Sequence, residues 1–252
     1  MSDPALVIAL ESRLINAWPS FDYQFYDGWL LRLAKGYSKR ANSATPLVPQ
    51  ARLDGALIDH MVERFLAENV RPTFRLNSLQ ADDVDAILSQ RGFEEIEPTR
   101  VMMRDLPEDC TIDPAVHLDS EVTARWVRDT AQAYGGDKSN DEVLHEIVRR
   151  IRQKAAFATL DFDGRHVAWG LGVVERGWLG LYDIVVEPEL RGIGLGRRLV
   201  TSLMAWGVEQ GAMRVYLQVR EDNLVAQGLY AATGFAPTYR YTHRVMPPPH
   251  RA

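Results

Sequence analysis

The sequence has little of several features that mark whole classes of protein. It contains a single cysteine, Cys110, among 252 residues, so no intrachain disulfide can form and the fold does not depend on an oxidising compartment. Its apolar runs fall far short of the ~20 residues that a membrane-spanning helix needs. It has no polybasic run and a formal net charge of −5, which argues against nucleic acid or an anionic membrane as the main partner.

The beginning of the chain also lacks the features of a targeting signal. Met1 to Pro4 has no basic segment and no long apolar stretch follows, so we expect no signal peptide and a cytoplasmic location. The Pro-Glu-Asp-Cys run that ends at Cys110 is typical of a linker and offers no neighbouring base, so we interpret this thiol as unreactive. What the chain does have is 46% hydrophobic and 25% charged residues, which is the composition of a globular protein with a full core.

Apolar periodicity predicts helices that alternate with strands, and therefore an α+β fold. The predicted helices include 4–17, 53–69, 81–91, 197–210 and 223–232. The predicted strands include 72–76, 99–104, 157–161, 166–174, 178–186, 214–219 and 238–246. The segment Leu106–Asp113 is polar and rich in turn residues. We therefore predict a first domain at 1–105 and a second at 111–252.

The two halves show a faint internal similarity at a spacing of 142 residues. Each half ends with a strand, a helix, a Gly-Phe pair and another strand. The aligned pairs are Phe74 and Tyr216, Ile87 and Leu229, Gly92 and Gly234, and Phe93 and Phe235. This similarity predicts that the first half repeats part of the fold of the second.

The most specific feature is a glycine-rich loop between an apolar strand and a long amphipathic helix. The strand Leu181–Val186 leads into Arg191-Gly192-Ile193-Gly194-Leu195-Gly196, and the helix begins directly after it. Alternate glycines allow a tight turn and a close approach of ligand to backbone. The loop N–H groups and the positive end of the helix dipole then form an anion site suited to a pyrophosphate. The spacing fits neither the dinucleotide-binding pattern nor the Walker pattern.

These residues resemble a known family. Arg191-x-x-Gly194-x-Gly196 is similar to the cofactor-loop signature of the GCN5-related N-acetyltransferase (GNAT) superfamily, and the segment Asn223–Phe235 is similar to a second, independent motif. The resemblance covers roughly residues 111–246. It implies a GNAT fold, with a mixed central sheet flanked by helices. Since the stretch 43–53 has no glycine, the first domain would be a degenerate GNAT-like domain that cannot bind the cosubstrate in the usual way.

The resemblance also implies acetyl-CoA as the cosubstrate and a primary amine as the acceptor. The backbone of Ile184, Val185 and Val186 would pair with the pantetheine arm, and an N–H of that strand would stabilise the oxyanion. The remaining implied contacts to acetyl-CoA come from Arg191, Gly192, Ile193, Gly194, Leu195, Gly196, Arg197, Asn223 and Tyr230.

Tyr230 is the candidate general acid, because a phenol stays protonated at neutral pH and can donate to a departing thiolate. The general base is left open among Asp183, Glu175 and Glu221. We predict no metal ion. The alternatives are a non-catalytic acetyl-CoA sensor and a transferase that uses a longer acyl-CoA. The acceptor, a small molecule or a protein amine, and the oligomeric state also stay open.

Overall fold

The computed structural model describes residues 3–107, 109–133 and 139–248. In chain order the helices and strands are α1 (Pro4–Ala17), β1 (Asp22–Tyr26), β2 (Trp29–Leu33), β3 (Ala44–Pro46), α2 (Gly55–Ala67), β4 (Thr73–Leu76), α3 (Val84–Gln90), β5 (Glu94–Asp105), β6 (Val116–Asp119), α4 (Ala124–Ala133), α5 (Ser139–Val148), β7 (Lys154–Phe162), β8 (Arg165–Glu175), β9 (Trp178–Val186), α6 (Leu195–Glu209), β10 (Arg214–Arg220), α7 (Leu224–Ala232) and β11 (Ala236–Val245). None of the described helices is long and apolar enough to cross a membrane. The α+β class is confirmed.

The chain divides into two compact units. The first unit comprises 1–100, 220–222 and the segment from Thr238 onward, and the second comprises 101–219 and 223–237. These bounds differ from the predicted linker at 106–113 and from a second domain that runs to 252. The reason is strand pairing: the segment 242–245 of β11 pairs antiparallel with 73–76 of β4. The last strand of the chain therefore completes the sheet of the first unit.

In the first unit the strand order is β1-β2-β3-β4-β11, followed by the part of β5 up to Arg100. Strands β3 and β4 are parallel, and the chain crosses between them through α2. The helix α2 buries Ile58, Met61 and Phe65 against Phe74 and other apolar residues of one sheet face. This spacing of apolar residues on α2 is the amphipathic pattern that the sequence predicts.

In the second unit the order is β5 from Val101 onward, then β10-β9-β8-β7-β6. Strands β9 and β10 are parallel and are joined through α6. Helix α6 packs on one face of the sheet, where a Cβ added to Gly170 would lie 3.3 Å from Leu199. Helix α4 packs on the other face, where Trp126 contacts the ring of Phe157 edge-on. The site described below lies at the end of the sheet where β9 meets α6.

The spacing of 142 residues recurs in the hydrogen bonds that end the helices of each unit. Val70 N donates to Phe65 O at 2.9 Å at the end of α2, and Ala212 N donates to Gly207 O at 2.9 Å at the end of α6. The ends of α3 and α7 repeat in the same way, with 3.0 Å bonds from Phe93 N to Leu88 O and from Phe235 N to Tyr230 O. The two units thus share a strand–helix–strand–helix framework.

The spacing fails on the strands. Phe74 lies in the apolar cluster that α2 covers, whereas Tyr216 lies outside the cluster that α6 covers; Val215 and Leu217 point there instead. Successive strand residues point to opposite faces, so a shift of one residue between helix and strand exchanges the two faces. The alignment of Phe74 with Tyr216 is therefore wrong, although the alignment of the helices holds.

Candidate active site

Strand β9 carries a β-bulge near its C-terminal end. Tyr182 pairs with Leu171 and Val185 pairs with Trp169, so two residues of β9 lie opposite one residue of β8. Asp183, in the bulge, has a φ of 48°. A non-glycine residue in this left-handed region is uncommon, and aspartate accepts it more readily than a β-branched residue. Bulges of this kind re-aim backbone and side chains and are frequent next to active sites.

The bulge lies where β9 and β10 stop pairing. Their parallel ladder joins 178–181 to 214–217 and ends there, although β9 continues to Val186. Beyond Leu181 the backbone of β9 has no ladder partner on its β10 side. Strand backbone left unpaired in this way presents a row of hydrogen-bonding groups to an extended ligand.

The loop after β9 leads into the N-terminus of α6. A short 3-10 turn, Pro188–Leu190, precedes Gly192 and Gly194, whose φ angles are 84° and 92°. Gly194 is the N-cap of α6 and has no side chain to satisfy the helix. Within the described residues, the N–H groups of Gly192, Ile193 and Gly194 form no hydrogen bond. Unsatisfied N–H groups and the positive end of the helix dipole make this turn a site for an anion.

Gly196 brings the parts of the site together. A Cβ added to Gly196 would lie 3.3 Å from Cδ2 of Leu229 on α7 and 3.6 Å from Cγ2 of Val186 on β9. Arg191 Nε donates to the carbonyl of Val186 at 3.1 Å and so fastens the loop to the strand end. A larger residue at Gly196 would push these elements apart. The first turn of α6 thus lies between the end of β9 and α7.

Two neighbouring arginines at the start of α6 have different surroundings. Arg198 donates to both carboxylate oxygens of Asp113, at 2.7 and 3.0 Å, and this pair holds the pKa of Asp113 below its usual value. Arg197 is exposed and makes no ion pair within the described chain. Arg197 therefore supplies the available positive charge at the helix start, while Arg198 is used internally.

Tyr230 is buried on α7 and belongs to the apolar core of the second unit. Its ring contacts Phe235 edge-on, with ring centroids 5.8 Å apart. Burial raises the pKa of Tyr230 to about 12, and its hydroxyl forms no hydrogen bond within the described residues. The phenol is thus a protonated donor at neutral pH whose hydrogen bond is not used by the protein.

The other predicted site residues have more varied positions. Asn223 is the N-cap of α7, where its Oδ1 accepts from Ala226 N at 3.1 Å, so its side chain has a structural task in the fold. Asp183 lies in the bulge and is 7% exposed. Glu175 pairs with Arg176 at the hairpin end of β8, and β9 there is five residues from the bulge. The structure therefore does not bring Glu175 to the loop, since five strand residues span about 16 Å.

Glu221, the third candidate base, belongs to the first unit. It forms ion pairs with Arg100 at 3.2 Å and with Arg240 at 3.4 Å. Two guanidinium groups favour the ionised carboxylate and hold it in place. Glu221 thus has a role in binding these arginines, apart from the residues of the loop.

Sequence reasoning missed the bulge and the end of the β9–β10 ladder. The signal was weak: a single carboxylate, Asp183, interrupts an otherwise apolar central strand. It also missed the Tyr182 and Tyr216 hydroxyls, which share a 2.5 Å hydrogen bond between these strands. No local pattern in one sequence predicts such a pair, because it depends on strand register.

The fold of the chain is that of solved GNAT structures. A GCN5-related N-acetyltransferase from Kribbella flavida superposes with a TM-score of 0.72 at 15% identity, over 100% of this chain and 98% of that one. At this identity the similarity establishes the fold alone. Together with the bulged strand and the glycine loop, it defines the class as a GNAT protein.

Similar sequences carry the same class name. An "Uncharacterized N-acetyltransferase YobR" from Bacillus subtilis is 25% identical over 243 residues, which covers 94% of this chain and 97% of that protein. A shorter similarity, 32% identity over 73 residues, joins 29% of this chain to 49% of the "[Ribosomal protein bS18]-alanine N-acetyltransferase" of Escherichia coli. The profile described as "Probable histone acetyltransferase Rv0428c C-terminal" matches residues 5–244. The chain belongs to this family of the GNAT superfamily.

Proposed function

We propose that the second unit transfers the acetyl group of acetyl-CoA to a primary amine. The observation that carries this proposal is the meeting of three features at one end of its sheet: a bulged strand end without a ladder partner, an unsatisfied glycine loop, and a buried phenol on α7. The strand would pair with the pantetheine arm, the loop and Arg197 would hold the pyrophosphate, and the phenol would lie toward the thioester.

The proposed reaction is direct transfer. The amine nitrogen, in its neutral form, attacks the thioester carbonyl carbon, and an N–H of 184–186 stabilises the negative charge that develops on oxygen. The C–S bond then breaks, and Tyr230 gives its proton to the departing thiolate. The proton of the amine leaves through Asp183, which supports the role because it lies in the bulge itself. Glu175 is not part of this proposal.

We further propose that the first unit is a degenerate GNAT-like domain that does not bind acetyl-CoA. In its equivalent helix, α2, the N-cap is Asp54, whose carboxylate accepts from Leu57 N at 2.8 Å. The helix N-terminus thus holds a carboxylate of the protein itself, at the position where the second unit has Gly194. Since an anion already lies there, a phosphate would be repelled.

The proposal is tested by CoA thiol release across a panel of amines, with heat-treated protein and Tyr230→Phe protein as blanks. The panel includes a peptide with an N-terminal alanine, because one relative is named for that substrate. Release with one amine class establishes the transferase and its acceptor. Saturable binding of acetyl-CoA without release for any amine would contradict the enzyme and favour a sensor. Faster release with longer acyl-CoA thioesters would contradict acetyl as the transferred group.

A further inference from the structure

One buried face of the first unit's sheet is lined by a row of polar residues. Arg32 N donates to Ser43 O at 3.1 Å, and Arg75 pairs in register with His243. The neighbouring row on β2, β3 and β4 is Leu31, Ala44 and Phe74. Because that row faces α2, alternation along the strands places the polar row on the opposite face, where Glu11 of α1 meets Arg75.

This row is fully enclosed. Arg32, Arg75 and Glu11 are 0% exposed and His243 is 3% exposed. Charged and polar groups are rarely buried to this extent unless each is paired, because each loses its hydration. The pairing of every member can therefore be examined atom by atom.

Some of the polar atoms have partners. Arg75 Nη1 donates to Glu11 Oε2, and the hydroxyl of Tyr239 donates to Glu11 Oε1 at 2.6 Å. The guanidinium of Arg75 also lies 3.7 Å from the ring centroid of Tyr241. Arg32 donates only to backbone carbonyls, those of Trp18 and Arg40. Glu11 is thus fully used by Arg75 and Tyr239.

Five buried nitrogen atoms of the row have no partner in the described chain. They are Nε of Arg32, Nε and Nη2 of Arg75, and both ring nitrogens of His243. The charges are also unequal, because two guanidinium groups face one carboxylate. Burial and the neighbouring charge of Arg75 lower the pKa of Arg32 to about 10, and burial raises the pKa of Tyr239, so Arg32 is charged and Tyr239 is neutral at pH 7. Burial lowers the pKa of His243, which leaves this imidazole neutral.

We propose that this row, Arg32, Arg75 and His243, is a binding site for a small monovalent carboxylate. One negative charge would balance the second guanidinium. The two oxygens of a carboxylate match guanidinium donors better than a spherical halide does, and an imidazole N–H supplies a further donor. A phosphate carries more charge than the row lacks. This site is separate from the acetyl-CoA site proposed above and does not depend on it.

The ligand must enter by local opening, because every member of the row is buried. Binding will therefore be slow, and each sample needs long equilibration with sodium acetate before its melting temperature is measured. At constant ionic strength, wild-type protein is expected to show a saturable rise of about 5 °C at a hundredfold excess over Kd. Parallel samples contain sodium chloride or sodium phosphate in place of acetate, and these are expected to cause no saturable rise.

The matched variants are Arg32→Met and Arg64→Met. Arg32→Met removes the unbalanced charge, so it is expected to lose the acetate response without melting lower than acetate-free wild type. Arg64, which is partly exposed and pairs with Asp22 at 3.6 Å, controls for loss of an arginine and is expected to keep the response. Should Arg32→Met not fold, saturation-transfer NMR of labelled acetate with wild-type protein decides the matter. Absence of acetate binding, or an equal response to chloride or phosphate, would overturn the proposal.

Discussion

The two units share one framework and differ where a strand delivers the chain to a helix. In the second unit α6 begins with Gly194, and the loop before it leaves N–H groups without partners. In the first unit α2 begins with the carboxylate of Asp54, and the loop is tied down by bonds such as Ala51 N to Leu79 O at 3.1 Å. The difference teaches that the helices supply the scaffold, while a few loop residues decide whether an external anion has a place to bind.

Gly194→Asp gives the second unit the helix start of the first, and it is expected to have the largest effect. A carboxylate at this position would occupy the anion site, and the residue would be strained at a φ of 92°. We expect affinity for acetyl-CoA to fall by about 100-fold or more, which is about 2.7 kcal/mol. Isothermal titration calorimetry measures this loss.

Gly36→Asp in the first unit is the matched control. Gly36 has a φ of 77° and open space around its Cβ position, as Gly194 has. It should therefore cost similar backbone strain, about 1–3 kcal/mol of stability, and leave acetyl-CoA affinity unchanged. Equal losses of affinity in both variants would attribute the effect to strain alone and contradict the loop assignment.

Tyr230→Phe tests the proposed acid, whose equivalent in the first unit is Leu88. We expect kcat to fall by about 100-fold with little change in acetyl-CoA affinity, because only the hydroxyl is lost. Steady-state kinetics and calorimetry on the same preparation separate the two quantities. Since burial raises the pKa of Tyr230 to about 12, its deprotonation should cause no loss of kcat in moderately alkaline solution. A wild-type kcat in the variant would remove Tyr230 from the mechanism.

The smallest effects should distinguish Arg197 from Arg198. Arg197→Ala is expected to weaken acetyl-CoA binding about tenfold, because an exposed charge near the pyrophosphate is lost. Arg198→Ala should leave affinity nearly unchanged and lower the free energy of unfolding by about 0.5–1 kcal/mol, since its partner is Asp113. Titration calorimetry and urea unfolding give the two values. The reverse pattern would show that the ion pair with Asp113 opens to bind the ligand.

Local patterns in the sequence predicted most of the framework. The periodicity of 197–210 and the glycines before it predicted α6 to within two residues, because amphipathic faces and glycine turns are encoded locally. The bulge at Asp183 and the ion pair of Asp113 with Arg198, 85 residues apart, were not predictable in this way. They depend on register and on residues distant in the chain, which one sequence does not specify.

The position of β11 has a consequence for how the protein is made. A ribosome delivers the segment 242–245 nearly last, yet β4, completed more than 160 residues earlier, needs it as a pairing partner. Until synthesis is nearly finished, one edge of β4 exposes unpaired backbone, which invites pairing with other nascent chains. A premature stop codon upstream of β11 would therefore damage the part of the protein that was translated first.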